Sequence, residues 1–313
     1  MSSRPLAALD LGSNTFRLVI AQADDCGQGL TQRRVWQEIP RIAEGLAPGG
    51  FFVQEPLARA WAAARSFQAI VAERQPARVL AGATMAFRLA ADGPDFLKKM
   101  GSEFGWETIL LSGQQEARLS ALGVLSGLNP LPQEGIIFDI GGRSTEFIQI
   151  KGRDILATQS LELGVVSLTA QFIRSDPPKP EELKAMSLAI TKSLQTLAPE
   201  FSSTLDPVLV GTAGTVTTIA ATLMNMVDYD SDLVNNQVFS LLAIQELFRQ
   251  LGHQNLSARQ ATPGLHPRRA DVIMAGLTLT LAVMDFFHRQ QLMTSDNSLL
   301  EGLWLLANGQ IQI

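Results

Sequence analysis

The feature that most constrains the fold is a strand–turn–strand signature that occurs twice. One apolar run ends in Asp10-Leu11-Gly12 and another ends in Asp139-Ile140-Gly141, and in each case a further apolar run follows directly. Apolar runs that flank a glycine-containing turn are typical of β-hairpins. A strand ending in Asp-x-Gly is common. Two such signatures, each opening a series of strands and helices, favour a duplicated domain.

The segments after each hairpin predict strands and helices in a similar order. The first series reads βββαβαβα and ends near residue 125, and the second begins near residue 135. Its predicted helices include residues 180–199, 215–226, 269–287 and 300–308. The stretch 126–134 contains Gly, Asn and two Pro, which favours a junction. We therefore predict an α/β protein with domains at 1–125 and 126–313. The last helix, about 298–313, is free to pack back on the first domain.

Composition excludes several classes of function. The chain of 313 residues is 46% hydrophobic and carries a net charge of −5, which argues against a broad nucleic-acid surface. With one cysteine and three histidines at no ligand spacing, neither a disulfide nor a Cys/His zinc site is expected. No uncharged apolar run is long enough to span a membrane. No segment resembles a targeting sequence, so the expected location is the cytoplasm.

Both Asp-x-Gly turns are candidate phosphate sites. A glycine-containing turn lets backbone amides approach an anion, and a carboxylate at the strand end can hold a divalent cation against it. Ser13, Asn14, Ser144 and Thr145 add further donors. The alternative is a pair of ordinary hairpins in which Asp and Asn serve turn chemistry.

A third candidate loop is Gly211-Thr212-Ala213-Gly214-Thr215. It follows a predicted strand and precedes an apolar helix, so small residues would leave the first helical amides open to a phosphate. The alternative is a simple strand-to-helix turn. The chain has no Gly-x4-Gly-Lys-Ser/Thr motif, which excludes a P-loop.

Three charged residues lie at predicted helix starts. Ser112 and Gln115 fit a capping box, which places Glu116 in the first helical turn either as an acid favoured by the helix dipole or as a general base. Arg88 follows a strand and is either a surface residue or a phosphate clamp. Arg269 begins an apolar helix, where a cation is unfavourable unless an anion or an acid is near.

Eight segments in order resemble the Ppx/GppA family, which comprises exopolyphosphatases and guanosine-pentaphosphate phosphatases. They span residues 7–302 and read AALDLGSNTFRLVIA, ATMAFRLA, LLSGQQEARL, IIFDIGGRSTEFI, SLELGVVSLTAQF, LVGTAGTVTTIAA, HPRRADVIMAG and SDNSLLEG. The resemblance implies the acetate/sugar kinase–Hsp70–actin fold, with two ribonuclease-H-like, actin-like domains and an interdomain cleft. The chain resembles the short form, which lacks the C-terminal helical domain.

The resemblance also implies a role for each matching residue. Glu116 matches the catalytic base of the family, and Glu146 matches a second catalytic acid. Asp10, Asp139 and Glu146 become candidates for holding Mg²⁺ or another divalent cation. The implied phosphate-binding residues are Gly12, Ser13, Asn14, Arg88, Gly141, Gly142, Arg143, Ser144, Gly211, Thr212, Gly214, Thr215 and Arg269.

Two departures from the family pattern change where positive charge is expected. Arg143 replaces the third glycine of the family's DIGGGS motif, and Leu300 replaces the arginine of its LREG motif. Arg143 either adds a phosphate contact, which would compensate for Leu300, or crowds the turn.

The expected function is that of an exopolyphosphatase, a hydrolase that releases terminal phosphate from inorganic polyphosphate by metal-assisted attack of water. One alternative is the same chemistry on guanosine pentaphosphate. Alternatives from another class are an actin-like or sugar-kinase-like nucleotide-binding protein and an inactive phosphate-binding homologue. Neither a nucleic acid nor a membrane is expected as a partner, and the oligomeric state is open, with a homodimer as one option.

Overall fold

The structure is a computed structural model that describes residues 4–23, 30–202 and 206–312. The chain forms two compact units: unit 1 comprises Met1–Ser126 with Ser298–Ile313, and unit 2 comprises Gly127–Asn297. Within the described ranges, every helix is too short or too polar to cross a membrane.

Unit 1 is built on a five-stranded sheet of order β3-β2-β1-β4-β5. β1 pairs antiparallel with β2 and parallel with β4, so a hairpin opens the sheet and crossovers complete it. Its elements are β1 (Leu6–Leu11), β2 (Phe16–Ala23), β3 (Leu30–Glu38), α1 (Gln54–Arg74), β4 (Val79–Ala83), α2 (Met85–Leu89), α3 (Gly93–Phe104), β5 (Glu107–Leu110) and α4 (Gly113–Gly127).

Unit 2 is built on a six-stranded sheet of order β8-β7-β6-β9-β11-β10. Its elements are β6 (Glu134–Ile140), β7 (Thr145–Lys151), β8 (Asp154–Leu161), α5 (Val165–Phe172), α6 (Pro180–Leu194), β9 (Val208–Thr212), α7 (Ala213–Leu223), α8 (Ser231–Val234), β10 (Val238–Ser240), α9 (Leu241–Gly252), α10 (Leu256–Gln260), α11 (Ile273–Phe286) and β11 (Gln291–Thr294). Two 3₁₀ helices cover Pro199–Ser202 and Pro267–Arg269. The last helix, α12 (Leu299–Ala307), belongs to unit 1.

The two sheets confirm the duplication. Starting from the edge strands β3 and β8, the strand order is β3-β2-β1-β4-β5 in unit 1 and β8-β7-β6-β9-β11 in unit 2. In both, three antiparallel strands are followed by strands that pair in parallel. This is the ribonuclease-H-like, actin-like order that the family resemblance implies. Unit 2 adds β10 as an antiparallel edge strand.

The core of unit 1 lies on both faces of its sheet. Along β1, Leu9 and Leu11 belong to one apolar cluster and Ala8 to another, because successive strand side chains point to opposite faces. Helices α1 to α3 cover the first face, and α12 contributes Trp304 to the second. Both faces of the sheet are thus buried.

The core of unit 2 surrounds α11. Ten of its residues are buried, from Ile273 to Met284, and they lie on every side of the helix. A helix that is apolar all round is typical of a protein interior.

Several predicted boundaries were wrong. The helix predicted at 180–199 ends at Leu194, and Pro199 begins a short 3₁₀ helix instead. The helix predicted from 269 begins at Ile273, because Pro267 begins a separate 3₁₀ turn that contains Arg269. Arg269 therefore precedes the long helix rather than opening it. The sequence analysis did not predict α5, α8, α9, α10, β10 or β11.

Candidate active site

The first Asp-x-Gly turn joins β1 to β2 in unit 1. The amide of Gly12 donates to the carbonyl of Thr15 over 3.1 Å and closes the turn. A Cβ at Gly12 would lie 2.8 Å from that same carbonyl oxygen, so this position requires glycine. Arg41 and Ala43 donate their amides to the carbonyls of Asn14 and Ser13, each over 3.0 Å. The carbonyl side of the turn is therefore occupied by the neighbouring segment.

The amides of Ser13 and Asn14 are the candidate donors of this turn. Within the part of the chain that the structure describes, nothing accepts from the backbone amides of Ser13 and Asn14. Both residues are partly exposed. Successive backbone amides of a turn can form a concave site for an anion.

The second Asp-x-Gly turn joins β6 to β7 in unit 2 and closes in the same way. The amide of Gly141 donates to the carbonyl of Ser144 over 2.9 Å. The first amides of α5 cover its carbonyl side, since Val165 donates to Gly141 and Val166 to Gly142. The helix approaches so closely that a Cβ at Gly164 would lie 2.1 Å from the backbone of Arg143.

Arg143 does not need the conformational freedom of glycine. Its φ is not positive, so the backbone of this turn does not require the glycine that the family has at this position. Its side chain is partly exposed. The turn accommodates an arginine without strain, which removes one reason to expect a distorted site.

The side chain opposite each aspartate differs between the two turns. In the β1–β2 ladder Asp10 lies directly opposite Arg17, and in the β6–β7 ladder Asp139 lies directly opposite Glu146. Directly opposite residues of an antiparallel pair have Cβ atoms about 4.5–5.5 Å apart on the same face. Asp139 and Glu146 thus form a carboxylate pair, in which Ser160 donates to Glu146 Oε1 over 2.8 Å.

Two carboxylates fit a cation that also takes water and phosphate oxygens. Within the described ranges there is no group of three or more His, Cys, Asp or Glu side chains with metal-site geometry. Mg²⁺ is usually held by only one or two carboxylates, with water and substrate phosphates completing six ligands. Like charges placed directly opposite repel, and a divalent cation between them removes that repulsion.

The third candidate loop connects β9 to α7. Ala213 has a φ of 64°, a left-handed conformation that non-glycine residues rarely adopt. The guanidinium of Arg269 lies against Gly214, where a Cβ would come within 2.1 Å of Nη1. The structure therefore brings together Arg269 and the Gly211–Thr215 loop, although they are more than fifty residues apart in sequence.

The hydroxyls of this loop are not available to a ligand. Thr212 Oγ1 donates to the carbonyl of Asn297 over 2.7 Å, and Thr215 Oγ1 donates to that of Ile140 over 3.3 Å. Both side chains are buried. Of the donors predicted here, the backbone amides at the start of α7 are the ones with the helix N-terminal geometry that suits a phosphate.

His266 and Arg268 belong to the same 3₁₀ turn as Arg269. His266 Nδ1 accepts from the amide of Arg268 over 3.1 Å. Loss of hydration, followed by the charges of Arg269 and Arg268, lowers the pKa of His266. The imidazole therefore adds little positive charge at neutral pH, and the two arginines supply it.

Glu116 lies in the first turn of α4 in unit 1, and the predicted capping box is confirmed. Gln115 Oε1 accepts from the amide of Ser112, and Ser112 Oγ accepts from the amide of Gln115. One turn of helix then presents Glu116, whose Oε2 accepts from Arg88 Nη1 over 2.8 Å. The same Nη1 donates to the carbonyl of Leu111 over 2.6 Å. Two residues that were predicted separately thus form one ion pair.

Leu300 contributes no surface to a site. It is fully buried in the apolar cluster that Trp304 belongs to. The next residues carry the polar contacts of α12: Glu301 is also fully buried, accepts from Arg33 over 2.8 Å and caps the helix at Ser298. Arg17 Nη1 donates to Ser298 Oγ over 3.0 Å.

Arg17 was missed by the sequence analysis, although a signal exists. It follows Asp10 by seven residues, as Glu146 follows Asp139. In hairpins with equal turns this spacing places the two side chains opposite each other. The contacts of α5 and of the segment near Arg41 had no comparable signal, because they depend on tertiary packing.

The sequence profile of the Ppx/GppA phosphatase family matches residues 19–307. The chain belongs to this family. Ppx/GppA proteins are phosphoanhydride hydrolases, so the chain is a hydrolase of the same kind as its relatives. It is 27% identical over 323 residues to exopolyphosphatase 2 of Mycobacterium tuberculosis, with 99% of this chain and 100% of that protein covered.

Solved Ppx/GppA structures agree over the whole chain. The Aquifex aeolicus family member is 29% identical, covers 99% of each chain and superposes with a TM-score of 0.82. An exopolyphosphatase from Cytophaga hutchinsonii is 25% identical, covers 97% of this chain and 98% of its own, and has a TM-score of 0.86. The family fold expected from the eight segments is confirmed.

Proposed function

We propose that this Ppx/GppA protein is an exopolyphosphatase that releases the terminal phosphate of inorganic polyphosphate. The observation that carries the proposal is the Glu116–Arg88 pair: a carboxylate at a helix start, oriented by a guanidinium that is itself fixed to a backbone carbonyl. A fixed carboxylate can accept a proton from water, and an oriented base is what water attack on a phosphoanhydride needs. Relatives named as exopolyphosphatases support polyphosphate as the substrate.

The substrate phosphates would be held by backbone amides and arginines. The amides of Ser13 and Asn14 have no acceptor among the described residues, and those at the start of α7 have the helix N-terminal geometry that suits an anion. Arg269 lies against Gly214 in the second of these sites. Gly12, Gly141, Gly142, Ser144 and Arg143 remain candidates for further phosphate contacts.

Asp139 and Glu146 would hold the divalent cation, with Mg²⁺ as our proposal and Asp10 as a further candidate ligand. When bound, the cation neutralises phosphate charge and polarises a phosphoryl oxygen. The chain's own contribution is to keep both carboxylates on one face of β6 and β7, with Ser160 fixing the rotamer of Glu146.

In the reaction, Glu116 would take a proton from a water molecule whose oxygen attacks the terminal phosphorus. The bond from that phosphorus to its bridging oxygen breaks, and the shortened chain leaves with the bonding electrons. Among the residues that the structure describes, Arg88 engages Leu111 and Glu116 through Nη1 alone. Its other guanidinium nitrogens are then available for the transferred phosphoryl group, so one arginine can serve both the base and the substrate.

The test is phosphate release from long polyphosphate, short polyphosphate, guanosine pentaphosphate and ATP, with and without Mg²⁺. Polyphosphate should be the preferred substrate. Glu116→Gln should lower turnover by roughly 10²–10⁴-fold, the usual contribution of a general base, while substrate binding and thermal stability persist. Glu103→Gln, at an exposed glutamate of α3, is the matched control. Turnover of Glu116→Gln within a few-fold of the parent enzyme would exclude Glu116 as the base.

A further inference from the structure

The connection from β11 to α12 is polar and almost completely buried. Ser295, Asp296 and Asn297 are 0%, 4% and 8% exposed. Consecutive buried polar residues need hydrogen-bond partners, so their contacts show what the segment is for. The segment begins the string SDNSLLEG, which contains neither the proposed base nor a proposed phosphate or cation ligand.

This connection holds the Gly211–Thr215 loop. The amide of Ser295 donates to the carbonyl of Gly211 over 2.9 Å, and Thr212 Oγ1 donates to the carbonyl of Asn297 over 2.7 Å. Ser295 Oγ donates to that same Asn297 carbonyl over 3.0 Å. Since Thr212 is fully buried, its hydroxyl serves this contact rather than a ligand.

The loop needs such support. Ala213, directly after Thr212, has the left-handed φ of 64°. A strained residue keeps its conformation only where the surrounding contacts fix it. The connection fixes Thr212, the residue directly before Ala213, through the Asn297 carbonyl. The orientation of the amides at the start of α7 therefore depends on the position of that carbonyl.

A second layer of contacts fixes the connection itself. Tyr229 Oη donates to Asp296 Oδ1 over 2.5 Å, and the amide of Asp296 donates to Asn235 Oδ1 over 3.1 Å. A hydroxyl-to-carboxylate bond is charge-assisted and stronger than a neutral one. Tyr229 is the single tyrosine of the chain and is about half exposed, so packing alone does not explain its place.

We propose that Tyr229 and Asp296 are positioning residues for the Gly211–Thr215 loop. They hold the Asn297 carbonyl where it accepts from Thr212, and so they fix the loop amides that would bind phosphate. The assignment of that ligand rests on the proposed function. Neither residue touches substrate. A displacement of about 1 Å at a binding loop can cost about 10²-fold in rate, so a contact two residues removed from the ligand can matter.

Tyr229→Phe tests the proposal because it deletes one oxygen from a half-exposed ring and leaves the core intact. Hydrogen–deuterium exchange of the full-length protein should show amides of residues 211–217 exchanging at least about threefold faster. Amides of the first turn, residues 10–17, should be unchanged. The kcat/KM for polyphosphate should fall roughly tenfold, with the midpoint of thermal unfolding nearly unchanged. Thr191→Val, which deletes an exposed hydroxyl contact of α6, is the matched control.

A double-mutant cycle distinguishes coupled from separate roles. Asp296→Ala, which removes the acceptor of Tyr229 Oη, should loosen the same amides. The double variant should be no worse than the poorer single one, because both changes remove the same contact. Additive losses, or parental exchange at 211–217 in Tyr229→Phe, would overturn the proposal. If the parent protein releases no phosphate from polyphosphate and Tyr229→Phe still loosens the loop, the proposed function fails while the positioning role stands.

Discussion

The two hairpins that open units 1 and 2 share a backbone and differ in charge. Gly12 donates to Thr15 and Gly141 donates to Ser144, over 3.1 and 2.9 Å, so both turns close with the same hydrogen bond. Seven residues after each aspartate, however, the chain has Arg17 in one hairpin and a glutamate in the other. Duplication has kept the turn geometry, and the charge opposite each aspartate has changed.

We infer that this difference suits the two similar turns to different ligands. The carboxylate of unit 1 has a cation opposite it within its own sheet, so the turn needs no metal to balance its charge. In unit 2 the two residues that lie opposite each other are both carboxylates, an arrangement that suits a divalent cation. We infer that Asp139 and Glu146 contribute more to cation binding than Asp10 does.

The two turns also differ in what covers them. A coil segment donates the amides of Arg41 and Ala43 to the first turn, and the start of α5 donates those of Val165 and Val166 to the second. Arg41 has a φ of 52°, whereas the α5 residues are helical. The equivalent carbonyls of Ser13 and Gly142 are thus satisfied by a coil in one unit and by a regular helix in the other. The second accepting carbonyl differs, since it is that of Asn14 in the first turn and that of Gly141 in the second.

Between the two hairpins, the largest effect is expected at the carboxylate pair. Glu146→Gln removes one of the two charges and should lower kcat/KM by roughly 10²–10³-fold, as the loss of a preorganised electrostatic contact does. Calorimetric titration with Mg²⁺ should show weaker binding than in the parent protein. Glu162→Gln, at an exposed nearby glutamate, is the control and should change neither quantity. Parental Mg²⁺ affinity in Glu146→Gln would contradict the assignment.

Arg17→Glu would make the first hairpin resemble the second. It places two acids opposite each other and removes the bond to Ser298, so the free energy of unfolding should fall by about 1–3 kcal/mol. Mg²⁺ should restore part of that loss, because the new pair can hold a cation. Urea unfolding with and without Mg²⁺ measures both effects.

Arg17→Gln is the control for this charge reversal, since it removes the cation without adding an acid. Its stability should show no Mg²⁺ dependence beyond that of the parent protein. Equal Mg²⁺ dependence in Arg17→Glu, Arg17→Gln and the parent would show that an opposed carboxylate pair is not sufficient to bind the ion in this hairpin.

The sequence predicted the parts of the molecule that depend on local pattern. The hairpins, the capping box at Ser112 and the alternation of strands and helices all follow from apolar periodicity and turn residues. The pairing of Glu116 with Arg88 did not follow, because the two residues are joined by a tertiary contact between α2 and α4. The family resemblance named both residues but not their bond.

Other features could not be predicted because the local sequence context of a residue suggests one role and its contacts in the fold give it another. Thr212 has the sequence context of a phosphate donor, yet its hydroxyl is bonded to Asn297, eighty-five residues later. Arg269 has the sequence context of a helix start, yet it is the last residue of a 3₁₀ helix that begins at Pro267. Such contacts depend on which distant backbone arrives beside the residue, and periodicity contains no information on that.

A smaller effect is expected at Arg143, which distinguishes the second turn from the family pattern. Arg143→Gly leaves a backbone that has no positive φ to relieve, so the change tests the side chain alone. If the guanidinium binds phosphate, KM for polyphosphate should rise about three- to tenfold, the value of one exposed charge-assisted contact. The increase of KM with salt should also become shallower.

Kinetics at two salt concentrations measure both effects of Arg143→Gly. Arg153→Gly, at an exposed arginine between β7 and β8, is the matched loss of charge and should leave KM unchanged. Unchanged or improved kinetics for Arg143→Gly at both salt concentrations would mean that the arginine is neutral or obstructive. The idea that it compensates for Leu300 would then be dropped.

The smallest expected effect concerns the strand-to-helix turns, where the units differ again. Ala213 begins α7 with a φ of 64°, whereas Met85, which begins α2 after β4, has no positive φ. Ala213→Gly should therefore stabilise the protein by about 0.5–1 kcal/mol, since glycine adopts this conformation without steric cost. Differential scanning calorimetry should show a midpoint higher by about 2 °C, and KM should rise no more than about twofold because the loop gains freedom.

Gln75→Gly, at the exposed left-handed residue after α1, should give the same stabilisation without a kinetic change. Met85→Gly should destabilise, because there is no strain to relieve. A gain for Gln75→Gly but none for Ala213→Gly would show that the contacts of the loop, rather than the backbone of Ala213, set its energy.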